Sequence, residues 1–335
     1  MHHSYKKSNQ RHLSGKKRPR PILFAFVLAT AILLTGTPPV QGVRFLDNHN
    51  GTVTDQATGL MWSKNAAPGK TALDWYSSLN YIAKLNASAY AGYRDWRLPN
   101  VNELTSLVDR GRYNPCLPPG HPFEAVEAWY WTGTTKAGYS EAAWRVYFFL
   151  GNIDYMPKVH SKNYIWPVRS ANAQVNVPRT GQVRSYYPLD DGALQIGRPW
   201  PKPRFKDNGD GTVTDQLTGL MWLKDADPAN GKKDWSQALA CIMHMNTRKV
   251  AGYSDWRLPH LKELQTIFDY GQVKPALPSG HPFLNVVPGW YWSQDVNVQD
   301  TRYSWCANSS TGAIDYYHRK HHKNYIWPVR NYGKH

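Results

Sequence analysis

The same order of polar and apolar positions runs along this chain twice. At Thr52–Asp55 and again at Thr212–Asp215, T-V-T-D alternates as a half-buried strand does, after a turn rich in Asn, Asp and Gly that follows Arg44-Phe45 or Arg204-Phe205. Thr-Gly makes the next turn and Leu-Met-Trp begins a second strand, so each stretch predicts a hairpin with loop residues suited to positive φ. Asp74–Leu85 sets Trp75, Leu79, Ile82 and Leu85 at helical spacing, and Trp235, Leu239, Ile242 and Met245 repeat it. Asp74 and Asp234 stand where an N-cap carboxylate accepts backbone N–H bonds. After Leu98-Pro99, Asn100-Val-Asn-Glu103 predicts a capping-box start to a second helix through Val108. The remainder, Trp129 to Arg169 and Trp290 to Arg330, consists of short aromatic-rich runs between Gly, Ser and Asn, which read as strands. The expected class is α+β, with a mixed or antiparallel sheet and two helices per domain.

The two stretches align with a shift of 160 residues, then 161. T-G-L-M-W at Thr58 recurs at Thr218, D-W-R-L-P at Asp95 recurs at Asp255, G-H-P-F at Gly120 recurs at Gly280, and K-N-Y-I-W-P-V-R at Lys162 recurs at Lys323. Two units of over a hundred residues signify tandem duplication; solenoid repeats run about 20–50 residues. Fourteen of the 15 tryptophans fall in matched pairs, with Trp200 alone lacking a mate. Retention of every pair predicts that most of these rings are core, where truncating a buried Trp costs about 3–5 kcal/mol. The domain division read from the sequence is a signal peptide at 1–42, a first domain at 43–170, a Pro-rich linker or lead-in at 171–202 and a second domain at 203–335.

The first 42 residues hold seven of the 40 Lys and Arg and none of the 24 Asp and Glu, so the formal charge of +16 is partly a property of this leader. A basic lead, the 13-residue apolar run Ile22–Leu34 and a Val-Gln-Gly triplet predict export through a secretory signal. The run falls short of the roughly 20 residues a spanning helix needs, so membrane attachment arises only if this segment stays uncleaved. Export makes nucleic acid an improbable partner and permits disulfides. Cys241 replaces Tyr81 and Cys306 replaces Arg145, novelties of the second copy that make a Cys241–Cys306 disulfide an expectation, with Cys116 left over.

The succession R-F, D-N-G-D-G-T-V-T-D, T-G-L-M-W, A-G-Y-x-D-W-R-L-P-x-x-x-E-L and N-Y-x-W-P-V-R resembles the Lcl C-terminal domain family, an exported bacterial module named after a collagen-like adhesin. The resemblance covers Val43–Arg169 and Pro178–Arg330. W-R-L-P-x-x-x-E is also similar to a segment of the formylglycine-generating-enzyme group. Together these likenesses imply two tandem C-type-lectin-like domains, and the adhesin implies binding of sulfated polysaccharides.

Candidate chemistry is sparse. Asp207 and Asp210 lie in a D-N-G-D-G turn like a calcium loop without its terminal bidentate carboxylate, and an Asx hairpin turn explains them equally. Lys158, His160 and Lys162, with His318, Arg319, Lys320, His321, His322 and Lys323, form basic loops before the last strand of each copy and are the expected ligand-binding residues for a polyanion. His121 and His281 recur, as do Asp95, Arg97, Asp255 and Arg257, but no nucleophile motif accompanies them, and Cys306 stands without the close cysteine pair that formylglycine chemistry requires. No catalytic residue or resident metal is expected. The sequence thus predicts an exported, non-catalytic binding or adhesion protein, periplasmic or extracellular, for acidic or sulfated glycans, with an envelope scaffold binding another protein as one alternative and an enzyme related to the formylglycine-generating group as the other.

Overall fold

Asn, Asp and Gly turns close the first hairpin of each repeat in the same way. In the computed structural model, which describes residues 43–331 apart from the side chains of Tyr317, His318 and Arg319, the expected signal peptide lies outside the described residues. β1 (Phe45–Asp47), β2 (Thr52–Asp55) and β3 (Leu60–Ser63) form an antiparallel meander, and β7 (Val168–Ser170) joins β3 to complete a four-stranded sheet. Gly51 sits at φ +85° in the β1–β2 turn, where a side chain would be strained. α1 (Trp75–Ala87) is capped by Asp74, whose carboxylate accepts from Ser77 N at 2.9 Å. α2 (Val101–Ser106) carries the predicted capping box, with Asn100 and Glu103 each satisfying the other's backbone N–H. It ends two residues earlier than the sequence pattern suggests.

β4 (Trp129–Thr135), β5 (Ala142–Tyr147) and β6 (Ile153–Pro157) make a second antiparallel sheet. The chain then crosses a short helix, α3 (Asp191–Leu194), and builds everything again. The second small sheet contains β8 (Phe205–Asp207), β9 (Thr212–Asp215), β10 (Leu220–Leu223) and β14 (Val329–Asn331). Its helices are α4 (Trp235–Thr247) and α5 (Leu261–Ile267), and its second meander is β11 (Trp290–Val296), β12 (Tyr303–Asn308) and β13 (Ile314–Arg319). Both repeats are therefore α+β, with mostly antiparallel sheets, as expected.

The two meanders fuse. β13 lies beside β6, giving one six-stranded sheet in the order β11-β12-β13-β6-β5-β4, with Ile314 opposite Ile153. These two residues occupy matched positions, so they mark a pseudo-two-fold axis. Thr105 and Gln265 are a second matched pair that meets itself, Gln265 Nε2 donating to Thr105 Oγ1 at 2.7 Å. Off the axis the contacts come in swapped pairs. Arg110 of repeat one lies 5.2 Å from the Trp305 ring and donates to Gly151 O, while its mate Tyr270 lies 5.2 Å from the Trp144 ring and donates to Gly312 O. The same patch contacts itself from both sides, which is the geometry of an isologous interface held within one chain. Val101, Trp144 and Ile153 consequently belong to the core that repeat two builds, and the described residues make one compact unit.

The stretch 171–202, expected as a Pro-rich linker or lead-in, packs as a strap across both repeats. Gln182 exchanges two hydrogen bonds with the Thr135 backbone, Asn100 Nδ2 donates to Ile196 O, and Thr180 O accepts from Tyr270 N. Asp191 is buried, with one carboxylate oxygen accepting from Thr134 Oγ1 at 2.8 Å and Thr180 Oγ1 at 2.6 Å. Burial pushes its carboxyl up to about 7, the two hydroxyl donors opposing that rise. The prolines limit the chain to extended geometry, but the polar residues between them find buried partners, which a free tether does not provide.

Candidate functional site

Eleven of the fourteen paired tryptophans are buried. Several indole N–H groups find matched carbonyls: Trp166 donates to Ser63 O and Trp327 to Leu223 O, while Trp131 donates to Leu73 O and Trp292 to Lys233 O. Trp129 and Trp290 are the one pair in which both rings remain partly exposed. Both line the same cleft, about 550 Å³ in volume, over the junction of β6 and β13. That size is within the roughly 300–1,000 Å³ of small-molecule sites.

Four further matched pairs line it, and one of them is Asp154 with Asp315. Their carboxylates accept from the next backbone N–H, of Tyr155 and Tyr316 respectively. On the repeat-one side, Trp129 stacks on Tyr147 at 4.5 Å and Tyr147 on Phe149 at 5.3 Å. The Arg145 guanidinium lies 3.7 Å from the Trp129 ring centre, within cation–π range. It also donates to Asp154 Oδ2 at 3.4 Å and Asn163 Oδ1 at 3.3 Å, and burial lowers its pKa while Asp154 opposes the shift. Asn152 reaches across the axis, its Nδ2 donating to Asp315 Oδ1 at 3.1 Å. In repeat two the mates of Arg145, Tyr147, Phe149 and Asn152 are Cys306, Asn308, Ser310 and Ala313. Each is smaller, so repeat two offers less bulk at these positions. Sequence reasoning missed this site; the signal was a tryptophan pair retained next to positions where the copies diverge.

The sequence-predicted residues fall elsewhere. Lys158 is a correction: its ammonium is buried, donates to Thr135 Oγ1 at 2.9 Å and lies 4.1 Å from the Trp75 ring centre. Burial lowers its pKa to about 8, with Asp190 and Glu141 opposing. β13 holds one residue more than β6, so the structural mate of Lys158 is Lys320, 4.2 Å from the Trp235 ring. Both lysines seal an aromatic surface at a helix start. His160, Lys162, His321, His322 and Lys323 are exposed, whereas the side chains of His318 and Arg319 lie outside the described residues. From their meeting point at Ile153 and Ile314 the two strands run in opposite directions for five and six residues. At about 3.3 Å per residue, the two basic loops are each roughly 15–20 Å from the axis.

The other candidates are structural. Asp95 pairs with Arg169 and Asp255 with Arg330, each at 2.6 Å, joining D-W-R-L-P to the last strand. Arg97 pairs with Glu103 and Arg257 with Glu263, which anchors the start of each second helix. His121 and His281 pack on Phe123 and Phe283, and burial lowers both imidazole pKa values. Asp207 is engaged by Gly209 N and Lys224 Nζ, Asp210 by the Thr212 backbone and hydroxyl; the carboxylates are used in closing the turn. Among the described residues no group of three His, Cys, Asp or Glu side chains converges on a metal-sized space.

The expected Cys241–Cys306 disulfide is absent, since all three cysteines are free thiols. Both side chains pack around one apolar cluster, but Cys306 faces Asn324, whose Nδ2 donates to its sulfur at 3.3 Å. The thiol thus takes over part of the place of Arg145, whose guanidinium meets the equivalent Asn163 in repeat one.

The sequence model of the Lcl C-terminal domain matches residues 51–169 and again 211–330. A search of curated proteins found no match.

Proposed function

Because the chain belongs to the Lcl C-terminal domain family and carries that domain twice, we propose that it is an exported, non-catalytic binding or adhesion protein with C-type-lectin-like domains and a glycan ligand. The observation that carries this reading is the Trp129–Trp290 pair: twelve other matched tryptophans serve the core, and this pair faces a shared cleft. Aromatic rings beside carboxylate, amide and guanidinium groups give a sugar both apolar contact and hydrogen-bond partners. His121 and His281, and the Asp and Arg residues of D-W-R-L-P, are engaged in packing or ion pairs, which supports a binding role for these recurring residues. Acidic or sulfated glycan chains are the class that the exposed basic loops suit, through summed positive potential.

A glycan array probed with the mature protein tests the reading. Binding that Trp129→Ala and Trp290→Ala each weaken about tenfold, with the thermal midpoint held, is the expected result. Heparin-column retention that falls when His321, His322 and Lys323 become Ala assigns the acidic contact to that loop. A blank array together with one dominant captured envelope protein would overturn the glycan reading in favour of a scaffold.

A further inference from the structure

The cleft and the basic loops differ in the charge they offer. Three charged side chains line the cleft: Arg145, Asp154 and Asp315. Arg145 is already engaged with Asp154, and the Asp154 side chain is still 48% exposed. The cleft lining thus carries two carboxylates to one guanidinium, and clefts with low-dielectric walls focus such fields. An acidic or sulfated group is repelled there, whereas hydroxyl donors are what carboxylates, being acceptors only, can use.

A second observation points the same way. Asn152 is 7% exposed and lines the cleft. Its Nδ2 must face Asp315, because a carboxylate accepts and cannot donate, so the amide orientation is fixed. The Oδ1 so placed has no hydrogen-bond partner, nor has Arg145 Nε on the neighbouring strand. A buried polar atom left unmet costs free energy, and this wall carries two of them. The acceptor on Asn152 calls for a donor, and the stacked Arg145–Trp129–Tyr147 wall calls for an apolar ring edge or face beside it.

Resting on the glycan reading above, we propose that the pseudo-two-fold cleft binds a neutral sugar ring, with Asp154, Asp315 and Asn152 as acceptors for its hydroxyls and the Trp129 and Trp290 indoles as its apolar walls. Acidic groups of the same polysaccharide are confined to the basic loops far from the axis. The protein therefore has two glycan-contact chemistries, and they separate by mutation.

Calorimetric titration of the mature protein with maltohexaose, cellohexaose and chitohexaose, and in parallel with a heparin hexasaccharide, tests this. The expected result is that at least one neutral hexasaccharide binds. That binding drops about tenfold in Asp154→Asn and in Trp290→Ala, and is unchanged in the His321→Ala, His322→Ala, Lys323→Ala triple variant. Heparin binding shows the opposite pattern. Circular dichroism and the thermal midpoint, unchanged in Asp154→Asn, exclude misfolding as the cause. Binding of heparin alone, or loss of heparin binding in Asp154→Asn and Trp290→Ala, overturns this proposal and leaves the glycan reading standing. Binding of no glycan overturns both.

Discussion

Repeat one and repeat two share a frame and differ where they face each other. Their small sheets, capped helices and buried indoles superimpose in kind, position by position, yet the cleft wall is Tyr147 and Asn152 on one side and Asn308 and Ala313 on the other, and Arg145, which also lines it, is matched by the buried Cys306. A similar split occurs under the strap. In repeat one Thr134 Oγ1 accepts from Val101 N at the start of α2 and donates its own hydrogen bond to Asp191 of the strap. In repeat two the carboxylate is built in, Asp295 accepting directly from Leu261 N and facing His260. The lesson is that duplication fixed what each unit needs to fold and released what only one unit needs to recognise or to dock.

The equivalence of the two frames is broken most severely by Trp166→Ala and Trp327→Ala. Each removes a buried indole with a backbone hydrogen bond and edge contacts to a second Trp and a Phe. Each is expected to cost about 3–5 kcal/mol in urea denaturation, within a single cooperative transition because the core crosses the axis. Two separate transitions would show that the repeats fold independently. The interface is sharpened next by Tyr270→Ala against Arg110→Ala. Loss of the fully buried phenol over Trp144 is expected to cost about 3 kcal/mol, and loss of its mate, whose guanidinium lies over Trp305, about 1–2 kcal/mol. The reverse order would contradict the packing described.

The smallest effect is expected from Asp191→Asn, and it depends on pH. The folded-state pKa of Asp191, about 7, is above the ordinary carboxyl value of 3.8, so the native chain holds this proton more tightly than the unfolded one. Stability from this group is fully present below about pH 4 and is lost as pH rises to 7. Asn accepts the same two hydroxyl bonds, so at pH 5 the change is expected to stay under about 1 kcal/mol. Thermal midpoints of Asp191→Asn that fall less than those of the natural chain between pH 5 and 7.5 would confirm the assignment; parallel slopes would refute it.

Local structure was legible because it is written in local spacing. Trp75, Leu79, Ile82 and Leu85 announce α1, Asn100 and Glu103 announce the start of α2, and the matched tryptophans announce the core. What was not legible is where a position meets its own mate. Nothing in the vicinity of Thr105 or Gln265 signals that they touch, and Ile153 reads as any strand residue. Lys158 was misread for a related reason: its charge is visible in the sequence, but the Trp75 ring that covers it is over eighty residues away. The strap was misread because proline content reports backbone stiffness and says nothing of what Asp191 or Gln182 will find. Cys241 and Cys306 do pack around one cluster, but their thiols are free and the amide of Asn324 meets Cys306.

The axis through Ile153 and Ile314 has one more consequence. Two identical chains meeting on such an axis would present a linear polymer with the same view from either end, and forward and reversed strands would bind with equal energy. Here both halves belong to one chain, so Arg145 and Cys306 could part company without a second copy repeating the change. On the proposed glycan reading, a polymer laid across this axis would meet a guanidinium before an amide when threaded one way and the converse when threaded the other, so the two directions would bind with unequal energy.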